Sequence, residues 1–258
     1  ALLQPARHQV EEAFRLCSLP GLPPHAQLLI RHLPLGAIRI EQSSHQLAER
    51  ISKLVTSQLS GAVCVDQRSA PTAEAVWFSD PLQPLRVLLL RLLDGKAAGE
   101  WYWAPLLRQS RLAPTSLQSS QLPCTSTNIG LLLTKAVQLP LRGLAVARLL
   151  EASLAPARWQ RLCSCITTSL ARELLSVQGV IIGEVDTQQE SQPAPIAAPA
   201  LNQAWQQGLR LASEQWGAGD IRSQWVAWNA LVSLQPAWLE RRIPVARIAP
   251  QAWLQSWG

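Results

Sequence analysis

The chain has 258 residues, of which 48% are hydrophobic and only 16% are charged, and its formal net charge is +6. This length and apolar content suit one large domain or two small ones with a sizeable core. The basic excess is spread thinly, with no basic run beyond Arg241-Arg242, whereas nucleic-acid binders concentrate their charge on one face or arm. Composition therefore argues against nucleic acid as a partner, and the low charge favours a surface partly covered by other proteins.

The first elements along the chain predict the beginning of a small sheet. After a short helix from Val10 to Leu16, residues 27–33 and 37–40 have the pattern of two strands. The motif Ser43-x-x-Gln46 is a capping box, so a helix is predicted to begin there. The apolar positions that recur at helical spacing after it are Leu47, Ile51, Leu54, Val55 and Leu59.

Two more strands and a second helix complete the N-terminal part. Residues 62–66 and 75–78 resemble strands, and Asp80-Pro81 then offers an N-cap followed by proline at the first helical position. The helix is predicted to end at Asp94-Gly95, where glycine can adopt the left-handed conformation. It is apolar on most sides, so we expect it to be buried in a core or between subunits. The order of elements predicts an α+β domain over residues 1–115, a small sheet with covering helices.

The rest of the chain is predicted to be mainly helical. Residues 109–127 are polar and Ser-rich like a linker, and within residues 116–185 helical spacing is interrupted by prolines. Residues 186–200 have the proline, glutamine and alanine content of a second, semi-rigid linker. Residues 201–258 are predicted to form a Trp-rich helical segment, broken at the sequence Gly217-Ala-Gly219-Asp220.

The five cysteines are spaced irregularly: Cys17, Cys64, Cys124, Cys163 and Cys165. The pair Cys163-Ser-Cys165 has no second pair to complete a zinc site, and on a helix its side chains would point about 200° apart. We therefore interpret the cysteines as buried free thiols, typical of a reducing compartment, and predict no metal site. No apolar run reaches the roughly 18 residues that a membrane-spanning helix needs, so no transmembrane segment is predicted.

No constellation of catalytic residues stands out. None of the 4 histidines lies beside a G-x-S-x-G motif, and the 13 glycines form neither a P-loop nor a dinucleotide-binding fingerprint. The 17 acidic residues are spread evenly, so the choice of any carboxylate pair would be arbitrary. We therefore predict a protein without enzymatic activity, cofactor or small-molecule substrate. The alternative is an enzyme site built from dispersed residues, which would take the form of a deep pocket with converging polar groups.

Aromatic side chains are the candidate contact residues for a partner protein, because tryptophan and tyrosine concentrate in interface hot spots. In Trp101-Tyr102-Trp103 the alternation places neighbouring aromatics on opposite sides of an extended backbone. Most of the 11 tryptophans lie in the last 54 residues, on short helices that would expose a wide apolar face if alone. Core packing is the alternative for each of them. The predicted partner-binding residues are Trp77, Trp101, Trp103, Trp225, Trp228, Trp253 and Trp257.

Residues 28–108 resemble a known group of proteins, which are encoded beside the phage-tail-like extracellular contractile injection systems. The similarity covers about a third of the chain, and the Trp-Phe and Trp-aromatic-Trp blocks are its distinctive parts. It implies an accessory structural piece of the contractile particle, near the baseplate, and supplies no catalytic residues. The segments that carry it are Leu28–Gly36, Leu47-Ala48-Glu49-Arg50-Ile51, Ala75-Val76-Trp77-Phe78-Ser79-Asp80 and Gly99-Glu100-Trp101-Tyr102-Trp103.

Together these features predict a non-enzymatic structural or assembly component of a large oligomeric particle. We expect it to be made in the cytoplasm, to be present in the assembled particle and to dock on other protein subunits through aromatic-rich surfaces. The alternative is an assembly adaptor or chaperone, which would bind one particle component reversibly and would be absent from finished particles.

Overall fold

The computed structural model describes residues 3–16, 23, 25–37, 43–67, 70–96, 99–108, 124–141, 143–182 and 195–257. The fold is α+β, as predicted. It is 63% helical, with a small mixed sheet of three strands near the N-terminus, helices covering that sheet, and a mostly helical region after it.

Residue contacts divide the chain into two compact units. The first is built from residues within 1–84 and 100–106, and the second from residues within 85–99 and 107–258. The division falls inside the helix that the sequence predicts after Asp80-Pro81. The four-region division suggested by the sequence, with boundaries near residues 115, 185 and 200, stays a prediction.

Three short strands form the sheet of the first unit: β1 (Gln27–Ile30), β2 (Val63–Cys64) and β3 (Ala75–Phe78). The central strand is β3, which pairs antiparallel with β1 on one side and parallel with β2 on the other. Phe78 is fully buried, whereas Trp77 is half-buried. Successive side chains of a strand point to opposite faces, so the two faces of β3 are covered to different extents.

The outer strands β1 and β2 are shorter than the sequence predicts, with four and two residues. The strand expected over residues 27–33 stops at Ile30, and the one expected over residues 62–66 keeps only Val63–Cys64. Single backbone hydrogen bonds continue past the paired residues, since the N–H of Arg31 donates to the carbonyl of Glu74 at 2.8 Å and the N–H of Val65 donates to the carbonyl of Trp77 at 3.2 Å. Residues 38–40 of the strand expected at 37–40 lie outside the described residues.

Helices α1 (Leu3–Leu16) and α2 (Ser44–Leu59) pack against each other in the first unit. The predicted N-cap of α2 forms, since the hydroxyl of Ser43 accepts a hydrogen bond from the backbone N–H of Gln46. Burial of each large aliphatic side chain in the resulting core contributes about 1.5–3 kcal/mol. The buried residues of this core are Ala13, Leu47, Ala48, Ile51 and Val55.

Helix α3 (Gln83–Leu93) begins and ends at the predicted signals. The carboxylate of Asp80 caps its N-terminus by accepting hydrogen bonds from two backbone N–H groups. At the other end Gly95 has φ = +72°, and its N–H and that of the next residue bond back to carbonyls of the last turn. This is a Schellman motif, for which glycine is favoured because it has no Cβ. The buried leucines of α3 are Leu85, Leu88, Leu89, Leu92 and Leu93.

An aromatic cluster forms part of the core of the first unit. Helix α4 (Trp103–Arg108) follows α3 in the chain. The ring of Phe78 lies 6.3 Å from that of Tyr102 and 6.2 Å from that of Trp103, centroid to centroid. These distances and tilted geometries are typical of favourable aromatic pairs, so the Trp-Phe and Trp-Tyr-Trp blocks meet in one core.

The second unit is built mainly from helices. They are α5 (Ser126–Gln138), α6 (Gly143–Ala152), α7 (Pro156–Cys165), α8 (Thr168–Val177), α9 (Gln203–Trp216), α10 (Ile221–Leu234) and α11 (Pro250–Ser256). Short 3-10 helices occupy Pro236–Glu240 and Val245–Arg247, and β4 (Val180–Ile181) pairs in parallel with β5 (Ile243–Pro244). Helix α10 is central, since it contacts α6, α8 and α9 and is buried from Trp225 to Val232.

Local sequence signals explain most helix starts of this unit and the end of α9. Proline is the first residue of α7, and Gly217, with φ = +88°, ends α9 at the predicted break. Four polar side chains cap helix N-termini by accepting a backbone N–H: Thr125, Thr167, Asn202 and Asp220.

The second half of the predicted linker at 186–200 is attached to the second unit. The N–H of Ile196 donates to the carbonyl of Arg247 at 2.9 Å, and the carbonyl of Ile196 accepts the indole N–H of Trp253 at 2.8 Å. Ile196 and Trp253 are both buried, so this part of the predicted linker packs against the second unit at Ile196. Residues 186–194 of that linker lie outside the described residues.

An ion pair joins the end of α3 to α7 within the second unit. The guanidinium of Arg158 contacts both carboxylate oxygens of Asp94, at 2.6 and 3.0 Å, and Arg161 donates to the carbonyl of Leu93 at 2.6 Å. Such a two-pronged contact fixes geometry better than a single hydrogen bond does. The hydrogen bonds from Arg158 hold the pKa of the Asp94 carboxyl below its usual value.

We expect Arg158→Ala to lower the free energy of unfolding by about 1 kcal/mol near neutral pH, because the pair is only partly shielded from water. The folded pKa of Asp94 is depressed, so this stabilisation is present above the unfolded pKa and is lost as pH falls through the folded pKa. Urea titrations at about pH 7 and about pH 2.5 measure the difference in the free energy of unfolding between the unmodified chain and the variant. This difference should be smaller at the lower pH. Arg172→Ala, on the exposed face of α8, is the control. A difference that persists undiminished in acid would contradict the ion-pair explanation.

Candidate protein-docking surface

Three elements of the second unit meet at Gln178, the residue that follows α8. Its side-chain amide donates to the carbonyl of Gly143, at the start of α6, at 3.3 Å and to Oδ1 of Asn229, within α10, at 2.9 Å. Asn229 in turn donates to the carbonyl of Trp225 at 2.8 Å. Both amide side chains are buried, and a buried amide that loses its partner costs about 1–3 kcal/mol. These hydrogen bonds therefore hold α6, α8 and α10 in one arrangement.

Glycine at position 143 allows this close approach. A Cβ at this position would lie 2.5 Å from Cδ2 of Leu239 and 3.0 Å from Nε2 of Gln178, which is too close for either neighbour to stay in place. Leu239 belongs to the 3-10 helix that follows α10. The start of α6, the end of α8 and the segment after α10 thus lie together, and we call this region the bundle end.

Large apolar side chains are exposed around the bundle end. Single exposed apolar residues are ordinary on any protein surface, but several on elements that meet at one place are typical of an interaction surface. They precede α6, end α8 and α10, and occupy β4, and each is between 43% and 62% exposed: Leu141, Val177, Ile181 and Leu234.

A tryptophan and an arginine add to this surface. The guanidinium carbon of Arg241 lies 4.7 Å from the ring centroid of Trp238, and the indole N–H of Trp238 donates to Oε1 of Gln235 at 2.9 Å. Trp238 is half-buried and Arg241 is exposed. Both residue types are enriched in interface hot spots, and their stacking holds the guanidinium in a defined position. The docking surface is defined as Leu141, Val177, Ile181, Leu234, Trp238 and Arg241.

Four of the seven predicted partner-binding residues are buried in the interior of the fold. They are almost fully buried because α10 is surrounded by other helices, because Trp253 packs under residues 195–200, and because Trp103 joins the aromatic cluster. This conformation leaves them no surface for a partner, and their packing accounts for their presence. These residues are Trp103, Trp225, Trp228 and Trp253.

The other three predicted residues, Trp77, Trp101 and Trp257, are half-buried. The indole N–H of Trp101 donates to the carbonyl of Ala73 at 3.1 Å, and the ring of Trp257 lies 6.5 Å from that of Trp253. Part of each of these three side chains is exposed to solvent, so their role in partner binding stays a prediction. They lie in different units and do not belong to the docking surface.

Sequence reasoning missed the docking surface because its members are far apart in the chain. Leu141, Val177, Ile181 and Leu234 share no motif, and each alone is an ordinary apolar residue near the end of an element. One signal was available: Trp238 stands three residues before Arg241-Arg242, the strongest basic run in the sequence.

A surface groove of about 440 Å³ lies between α7 and α9, lined by Trp159, Gln160, Leu211, Glu214 and Gln215. The indole N–H of Trp159 is already engaged, since it donates to the carbonyl of Gly208 at 2.9 Å. The lining offers two amides and one carboxylate. Such a set can form hydrogen bonds with a polar ligand, but it contains no pair of acid and base groups.

The chain matches no protein-family model, no curated protein and no solved structure. Within the described ranges, no group of three His, Cys, Asp or Glu side chains is placed to hold a metal ion. No helix in the part of the chain that the structure describes combines the length and the apolar character needed to cross a bilayer.

We expect Asn229→Ala and Gln178→Ala each to lower the free energy of unfolding by about 2 kcal/mol, since each removes a buried hydrogen bond and leaves a polar neighbour without its partner. The stability that the double variant loses should be smaller than the sum of the losses of the two single variants, because both changes remove the same hydrogen bond. Urea denaturation of the four proteins measures this coupling. Gln207→Ala, on an exposed position of α9, should change stability by less than about 0.5 kcal/mol. Strictly additive losses would show that the two amides do not act together.

Proposed function

We propose that this chain is a non-enzymatic structural or assembly subunit of a phage-tail-like contractile injection particle, and that it binds another protein subunit through the docking surface. The observation that carries the proposal is the coincidence of exposed apolar side chains with the stacked Trp238–Arg241 pair at the bundle end. In this proposal the protein is made in the cytoplasm and joins the particle near its baseplate.

The size of the docking surface suggests how strong the contact is. Its four aliphatic side chains are about half covered already, so complete burial by a partner would contribute about 1 kcal/mol each, or about 4 kcal/mol together. A Trp–Arg hot spot adds about 2 kcal/mol. Association costs at least about 4 kcal/mol in lost freedom of motion. The surface therefore supports a weak contact by itself, and tight binding requires further area, for which Trp77, Trp101 and Trp257 are candidates.

The assignment to a contractile particle rests on the resemblance over residues 28–108. The distinctive aromatic blocks of that resemblance coincide with the aromatic cluster of Phe78, Tyr102 and Trp103. Residues that build a core are tied to a fold more closely than surface residues are, so their coincidence supports a shared fold for this part of the chain.

An assembly adaptor or chaperone is the second candidate function. The observation that favours it is the modest area of the docking surface, because a weak contact releases its partner readily. An adaptor would be found bound to one component before assembly and would be missing from the finished particle, whereas a subunit would be found in both.

We expect Val177→Lys and Leu234→Lys each to reduce incorporation of the chain into particles by tenfold or more, because a charge placed in the contact must be desolvated when the partner binds. A lysine at the end of a helix is compatible with the helix dipole, so folding should be preserved and circular dichroism should be unchanged. Quantitative mass spectrometry of particles purified from a producing cell measures incorporation. The matched control Gln207→Lys adds the same charge at an exposed position of α9 and should be incorporated like the unmodified chain.

The same experiment separates the two candidates. An unmodified chain that is missing from particles but bound to one component before assembly would favour the adaptor. An unmodified chain that is bound to no particle component at any stage would contradict both.

A further inference from the structure

Two cysteine thiols lie side by side in the second unit. Sγ of Cys124, the residue before the N-cap of α5, is 3.9 Å from Sγ of Cys165, the last residue of α7. The two residues are separated by 41 positions, so the fold and not the local sequence brings them together. Both are free thiols. A disulfide requires about 2.05 Å between the sulfur atoms, and side-chain rotation with a small backbone shift can supply the difference.

The two thiols differ in their access to solvent. Cys124 is half-buried, whereas Cys165 is only 7% exposed. A small oxidant in solution can therefore reach Cys124, while Cys165 is reached most directly from Cys124 itself. This is the arrangement of an attacking thiol and a resolving thiol in thiol–disulfide exchange.

Cys163 lies on the same helix but on another face. Residues two apart on a helix differ by about 200° in direction, and Cys163 is buried in the core, where burial raises the pKa of its thiol to about 12. The C-x-C pair of the sequence therefore does not act as a unit, and Cys165 is the member that meets Cys124. Cys163 and Cys64 serve as matched controls.

The pKa of the Cys124 thiol limits the rate at which the pair is oxidised. Burial, with a smaller effect of the neighbouring Cys165, raises the pKa of the Cys124 thiol to about 11, and the charge of Arg161 opposes this increase. Thiolates are the reactive species, so exchange at neutral pH is slow and needs a sustained excess of oxidant.

We propose that Cys124 and Cys165 form a reversible intramolecular disulfide when the chain meets a small disulfide oxidant such as oxidised glutathione. The Cys124 thiolate attacks one sulfur of glutathione disulfide, forms a mixed disulfide and releases one glutathione thiolate. The Cys165 thiolate then attacks Sγ of Cys124 and releases the second glutathione thiolate. The two protein thiols lose two electrons, the glutathione disulfide is reduced to two thiols, and the two protons of the protein thiols end on the released glutathione.

The product would fasten the start of α5 to the end of α7. A crosslink across 41 residues restricts the unfolded chain, and we expect the thermal midpoint of the oxidised form to rise by roughly 5–10 °C. The proposal is independent of the docking function, because the two cysteines and the docking surface share no residue.

The test uses the full chain incubated with excess oxidised glutathione at about pH 8, quenched with acid, then alkylated with N-ethylmaleimide in denaturant at about pH 7 and mapped by peptide mass spectrometry. We expect a Cys124–Cys165 linked peptide as the main disulfide product, a higher thermal midpoint, and reversal of both by dithiothreitol. The variants Cys163→Ala and Cys64→Ala should keep the link and the shift, and Cys124→Ala should lose both. In Cys165→Ala glutathione should remain attached to Cys124, because the resolving thiol is missing.

Any one of three results would overturn the proposal. Cys124 could still be alkylated after oxidation, or glutathione could remain attached to Cys124 in the unmodified chain. The third result is a disulfide between Cys124 and Cys163. Each is read from the unmodified chain, so the conclusion does not depend on the folding of any variant.

Discussion

The burial of α10 is the constraint on which the second unit depends. This helix is apolar on every side from Trp225 to Val232, and a helix of that kind is stable only when other elements surround it. Asn229 is the exception within the buried stretch, and its amide can be buried because Gln178 completes its hydrogen bonds. Gln178 also binds the carbonyl of Gly143, so the start of α6 and the end of α8 meet beside α10. The docking surface is a consequence of this packing, because most of its side chains lie at or near the ends of α6, α8 and α10, which pack together.

Several tryptophans that composition suggested for partner binding lie in the core instead. Tryptophan offers the largest apolar area of any side chain, so a helix that must be surrounded uses it for its core, as Trp225 and Trp228 do. In the second unit the exposed large apolar side chains are aliphatic and lie at or near the ends of elements, as Leu141, Val177, Ile181 and Leu234 do. The Cys124–Cys165 pair brings the start of α5 next to the end of α7 and shares no residue with the docking surface.

Elements with strong local signals could be predicted from the sequence. Ser43, Asp80-Pro81, Gly95 and Gly217 mark helix ends by capping chemistry and backbone preference, which act within a few residues and need no tertiary context. The central strand Ala75–Phe78 also matches its prediction. The outer strands are shorter than predicted, because the length of a strand depends on how far its backbone stays within hydrogen-bonding distance of its partner, which the local sequence does not determine.

The sequence by itself determined the α+β class, the boundaries of α2 and α3 to within a few residues, the end of α9 and the presence of an N-terminal sheet, because periodicity and capping are local properties of the chain. Tertiary structure alone decided which aromatic residues are buried, which helix ends meet at Gln178, and which thiol faces Cys124. These outcomes depend on contacts between residues dozens of positions apart, such as Gln178 with Asn229 and Asp94 with Arg158, and the burial of a side chain is decided by the elements that cover it.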